Sequence, residues 1–156
     1  MRRRKRHLPH FERAGASYFI TFTLTRGTGV NLTDASVAPI VIGALHHFHG
    51  DRYWLYDYTV MPDHVHCILQ PIVADGVAHS LERIMHSIKS WTSNQIDRTV
   101  GRTDALWQGE SCDHILRGER DHREKARYIF NNSAAKGLVD DPADWPWWGN
   151  AANESE

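Results

Sequence analysis

Two apolar runs separated by only three residues limit this chain more than any other feature. Tyr53 to Val60 and His64 to Gln70 are rich in aromatic and β-branched residues, and Met61-Pro62-Asp63 lies between them. A connection that short predicts two antiparallel strands folded as a hairpin. The second strand carries His64 and His66. Side chains at i and i+2 of a strand leave the same face, so both imidazoles can converge on one point. Two neutral imidazoles make half of a divalent metal site.

Spacing alone is weak support, because 11 histidines in 156 residues can generate such a pair by chance. A second pair, His47-Phe48-His49, closes a helical-looking stretch. There, i and i+2 point about 200° apart and do not share a metal readily. Position on a strand favours His64 and His66.

The remaining elements are read from periodicity and punctuation. Ser17 to Leu24 is a strand ending before Gly27 and Gly29. Thr33 or Asp34 is expected to cap a helix reaching His49, with Pro39 in its first turn and Gly50 ending it. Its stripe is Val37, Ile40, Val41, Ala44, Leu45 and Phe48. After a loop at Asp75-Gly76, Ser80 opens a helix with Leu81, Ile84, Met85, Ile88, Trp91 and Ile96 at helical spacing, and Gly101 ends it. Arg83 and Lys89 fall on its polar side. Asp113 to Arg117 supplies a fourth strand. A last helix, from about Asp121 to Ala135, places Tyr128 and Asn132 on one face, four residues apart. The order βαββαβ plus a C-terminal helix predicts an α+β, ferredoxin-like antiparallel sheet with helices on one face and the tyrosine on the extra helix.

Length fits a single domain over residues 1–156, with 1–15 as a basic arm and 149–156 as a disordered tail. No apolar run is long enough to span a membrane, and no signal-peptide core follows the basic start, so a cytoplasmic protein is expected. Cys67 and Cys112 are too few for a disulfide scaffold, and Cys67 reads as a small buried hydrophobe. The net charge of -1 conceals an uneven distribution. Residues 1–26 carry seven Arg or Lys against Glu12 alone, and residues 140–156 carry five acids and no base. Arg2, Arg3, Arg4, Lys5 and Arg6 suit contact with phosphates, or simply form a solvated tail.

Several separated blocks agree with one family. They are Tyr18-Phe19-Ile20-Thr21-Phe22, Met61-Pro62-Asp63-His64-Val65-His66, Ser87 to Thr92, Leu106-Trp107-Gln108, Asp113 to Arg117, Tyr128-Ile129-Phe130-Asn131-Asn132 and Lys136-Gly137-Leu138-Val139. In their order and spacing the chain resembles the single-tyrosine HUH transposases, and most of all the REP-associated tyrosine transposases of bacteria. The resemblance runs from about residue 16 to Trp148. It implies that His64, His66 and Asn132 ligate Mg²⁺ or Mn²⁺ and that Tyr128 attacks a DNA phosphate, leaving a 5′-phosphotyrosine and a free 3′-OH. It implies a single-stranded or hairpin DNA substrate such as a repetitive extragenic palindrome, phosphate contacts from the arm, Lys89 and Lys136, a nucleoid-associated protein, and a monomer or homodimer. Ligand chemistry by itself also suits Zn²⁺.

The residues read alone allow plainer roles. Tyr128 suits a core tyrosine, Asn132 a helix C-cap, and Lys136 a partner for the helix dipole. Trp107, Trp145, Trp147 and Trp148 suit base stacking, or a clamp on the C-terminal segment. Two positions depart from the family pattern: Ser133 stands where proline is usual, and Asp63 where asparagine is common. Two rival functions follow: a hairpin-binding regulatory protein without cleavage, and a phosphodiesterase that uses a metal-bound water.

Overall fold

Alternation along three neighbouring strands sets the architecture. The computed structural model describes residues 15–151. Strand β1 (Tyr18–Thr23), β2 (Tyr53–Val60) and β3 (His64–Pro71) pair antiparallel, with β3 between the other two. Strand β6 (Cys112–Ile115) adds to the free side of β1, and a short β7 (Trp148–Asn150) adds to β2. The sheet order is therefore β6-β1-β3-β2-β7. A separate two-stranded ribbon, β4 (Val73–Ala74) and β5 (Val77–Ala78), turns on Asp75 and Gly76, both at positive φ.

Odd and even positions sort the two faces of this sheet. Tyr18, Ile20 and Phe22 of β1 and Val65, Cys67 and Leu69 of β3 point into the main core. Helices α1 (Ala38–His47) and α2 (Leu81–Val100) cover it with Val41, Ala44, Leu45, Ile84, Met85 and Ile88. Phe19 and Ile68 point the other way, where helix α3 (Glu119–Ala135) meets them with Ile129, and Leu116 closes the cluster. A bulge in β2 between Leu55 and Tyr58 inserts one residue and resets the parity. Both of those side chains then face the main core, and Tyr56 faces His122 of α3. The core βαββαβ order and the extra tyrosine-bearing helix match the sequence expectation. Helices α1 and α2 share one face, as expected, and the extra helix α3 occupies the opposite one.

Helix α2 has the expected ends. Ser80 accepts from the Arg83 N–H, and Gly101 closes it at φ 72°. Trp91 is a correction. It is half exposed, and Thr92 holds the buried position instead. The stripe runs 81-85-88-92-96, which leaves residue 91 at its margin. Helix α1 starts later than Thr33 or Asp34, because the Asn31 side chain accepts from the Thr33 N–H and winds residues 31–34 into a turn. The helix opens at Val37 without a side-chain cap, with Pro39 in its first turn. The fourth strand is shifted slightly, to Cys112–Ile115. The expected tail from residue 149 is also corrected: Gly149 and Asn150 pair with β2, and Ala151 is buried in the main core. Both cysteines are free thiols, and Cys67 is buried. Among the described residues no helix is long and apolar enough to cross a membrane.

Candidate active site

The turn between β2 and β3 is pinned from several directions, and this fixes where the histidine strand begins. Met61 N–H donates to the His64 carbonyl, Leu24 N–H to that of Asp63, and Leu32 N–H to that of Pro62. Strand pairing then sets His64 opposite Thr23, and His66 between Thr21 of β1 and Thr59 of β2. Both imidazoles leave the face covered by α3. Their ring centroids are 4.6 Å apart.

Each ring is held by its Nδ1. His66 Nδ1 lies 2.7 Å from the Thr21 hydroxyl, and His64 Nδ1 lies 2.7 Å from the Asp63 carboxylate. Holding Nδ1 leaves Nε2 of each ring as the atom available to a ligand, the usual arrangement around metal-bound histidine. Burial pushes the His66 pKa down to about 3, with the charges of His64 and Lys136 adding to the effect. His66 is therefore neutral at physiological pH, the form that donates a lone pair.

Tyr128 reaches this pair from α3 of the same chain. Its ring lies 5.5 Å from that of His66 and 5.9 Å from that of Phe19. Phe19 is buried and stacks on His66 at 5.4 Å, so it forms the floor under both rings. Tyr128 is 49% exposed, which leaves its side chain accessible to a substrate. Asn132 follows one turn later and is almost fully buried, and its Oδ1 has no hydrogen-bond partner. It lies between Tyr128, which touches His66, and Lys136, whose charge acts on His66. A buried amide oxygen without a donor is costly unless a ligand uses it. Two free imidazole nitrogens and this oxygen fit a divalent cation. Among the described residues no three His, Cys, Asp or Glu side chains gather as a metal cluster.

Ser133, in place of proline, keeps its N–H, and α3 runs without a break to Ala135. Lys136 caps its end. Lys89 lies on α2, and its ammonium donates to the Gln108 carbonyl at 3.0 Å. Arg2 to Arg6 lie outside the described residues. Trp107 is buried against Phe22, and its indole N–H donates to Thr92. The Trp145 indole donates to the Val60 carbonyl, the Trp147 carbonyl accepts from Val60, and Trp148 packs on Phe130. These contacts clamp the C-terminal segment. The sequence reading missed Thr21 and Phe19 as parts of the site. The available signal was a threonine inside an otherwise apolar strand.

No protein-family model matches the chain. An Escherichia coli (strain K12) REP-associated tyrosine transposase is 30% identical over 90 residues, 58% of this chain and 50% of that protein. A Haemophilus influenzae (strain Rd) protein assigned by name to the same group is 26% identical over 144 residues, 85% of this chain and 78% of its own length. The chain thus spans about half the length of the first relative and over three quarters of the second. A solved REP-associated tyrosine transposase bound to a REP hairpin superposes with a TM-score of 0.71 at 24% identity, covering 88% of this chain and 78% of that one. The likeness to that transposase is one of fold.

Proposed function

We propose that the protein is a metal-dependent transposase that cuts and rejoins single-stranded DNA at a hairpin, with Tyr128 as the nucleophile. The observation that carries this reading is the contact between the Tyr128 and His66 rings within one chain. A half-exposed phenol beside the neutral His66 imidazole has no evident structural use there. Relatives named as transposases, and a neighbour of the same fold bound to a REP hairpin, support the substrate class.

His64, His66 and Asn132 would hold Mg²⁺ or Mn²⁺ through two Nε2 atoms and one Oδ1. When bound, such an ion supplies positive charge to the non-bridging oxygens of the phosphate. Thr21 and Asp63 keep the imidazoles oriented, and Phe19 keeps Tyr128 and His66 at a fixed separation. The Tyr128 oxygen forms a bond to phosphorus as the bond to the 3′ oxygen breaks. Its proton passes to water at the exposed edge of the ring, and the 3′ oxygen leaves as a hydroxyl after taking a proton. Because the phosphodiester is exchanged and not hydrolysed, the reverse attack reseals a strand without ATP. A DNA substrate would place the protein at the nucleoid. Completion of the tyrosine and histidine pair inside one chain lets a monomer act.

The test uses a labelled DNA hairpin with single-stranded flanks, incubated with protein and Mn²⁺ and run on a denaturing gel. A protein–DNA adduct is expected, and it should vanish with EDTA. Tyr128→Phe should form no adduct but bind the hairpin as tightly as wild type, with stability changed by no more than about 0.5 kcal/mol. Cleavage without an adduct would assign the reaction to a metal-bound water. Binding with no cleavage at all would leave a DNA-binding module.

A further inference from the structure

One cation beside Tyr128 is given no role by this mechanism. Lys125 lies one turn before the tyrosine on α3, and its ammonium is 5.4 Å from the centre of the Phe19 ring. That ring is the same one that touches Tyr128, stacks on His66 and lies 6.4 Å from His114. Lys125 is half-buried, and among the described residues no carboxylate pairs with it. The nearest acids on its helix are engaged elsewhere: Glu124 pairs with Arg120, and Asp121 accepts from the Arg117 N–H. Its charge is felt locally, since it helps hold the His114 pKa below the ordinary histidine value after burial has lowered it.

We propose that Lys125 is a DNA-binding residue that holds a non-bridging oxygen of the phosphate next to the one Tyr128 attacks. This deepens the strand-transfer reading and rests on it for the position of the cut. An ammonium that is unneutralised, partly desolvated and set over the platform carrying the nucleophile suits a single backbone phosphate. Lys136 approaches His66 from the far end of the same helix, so the strand would run between two lysines with Tyr128 in the middle. A merely structural lysine would only cover the Phe19 ring, and that alternative predicts different measurements.

The experiment measures binding of an oligo-dT single strand in EDTA, where no cleavage occurs and register is immaterial, across a range of salt. Wild type and Lys125→Arg should bind alike. Lys125→Gln should bind several-fold more weakly, with the slope of log K against log salt reduced by about 0.7. Arg98→Gln, on the α2 layer away from Tyr128, should leave that slope unchanged. On a dT strand with a methylphosphonate backbone, Lys125→Gln and wild type should be indistinguishable. An unchanged slope for Lys125→Gln, or an equal deficit on the neutral backbone, would overturn the proposal. The adduct assay with wild type is run in parallel. An adduct with an unchanged slope removes Lys125 alone; a changed slope without an adduct keeps the phosphate contact and removes the strand-transfer reading.

Discussion

Asp63 can act on His64 through orientation or through charge, and the geometry says which matters more. Its carboxylate is 73% exposed, so water and salt screen its charge, but the 2.7 Å contact still fixes the ring and selects the tautomer with Nε2 free. Asparagine at this position keeps an acceptor oxygen and loses the charge; alanine loses both. Asp63→Asn should therefore need only a few-fold more Mn²⁺ for half-maximal cleavage, and Asp63→Ala about 10- to 100-fold more. Mn²⁺ titration of the adduct assay, with calorimetric Mn²⁺ binding as a second readout, checks the order. Equal requirements in all three proteins would show that the contact does not tune the site. The pairing of His64 with His66, and of Tyr128 with Asn132, was legible in the sequence because i, i+2 on a strand and i, i+4 on a helix are local geometry; that the two pairs meet was implied only by the family resemblance. Thr21 and Phe19 were not legible, since their contacts with His66 cross 45 residues or more and depend on strand register.

At the scale of elements, periodicity located every long strand and helix, and the errors fall where side chains override it. Asn31 delays α1 by forming its own turn, and Thr92 displaces Trp91 because a buried hydroxyl receives the Trp107 indole N–H. The ribbon at residues 73–78 carried a signal, Asp75-Gly76, that fits a tight hairpin turn. Strand β7 carried almost none: three residues gain strand geometry only because β2 offers a free edge. Gly149 is the key to that docking. A methyl group added there would overlap the Tyr58 hydroxyl, which lies 3.1 Å from His46 Nε2. Gly149→Ala should cost about 1–3 kcal/mol by overpacking, and lower the melting temperature by about 2–4 °C per kcal/mol. Thermal unfolding followed by circular dichroism measures this. No loss of stability would mean that β7 contributes little to the fold.

The whole molecule has a thick side and a thin side. The face under α1 and α2 carries the large core, and α3 docks the site through a cluster of four buried residues, Phe19, Ile68, Leu116 and Ile129. Two buried titratable groups, one on the α3 face and one where β2 meets β7, give stability opposite dependences on pH. Burial pushes the Asp57 carboxyl up to about 6 although the Asn150 amide donates to it, so the folded state binds the extra proton between about pH 3.8 and 6. Stability from that group is complete below this window and is lost as pH rises through it. His66, held at about 3, acts in reverse: its contribution is intact above about 6.5 and is lost as pH falls. Wild-type stability between pH 4 and 6 is the sum of the two and conceals both. Asp57→Asn removes only the first. Relative to wild type it should gain about 1–2 kcal/mol between pH 4 and 7 and no more above that, while keeping the acid-side loss due to His66. Urea unfolding of both proteins across this range reads the difference directly. Parallel profiles would mean that Asp57 ionises as readily in the fold as in the unfolded chain, and that water reaches the junction of β2 and β7.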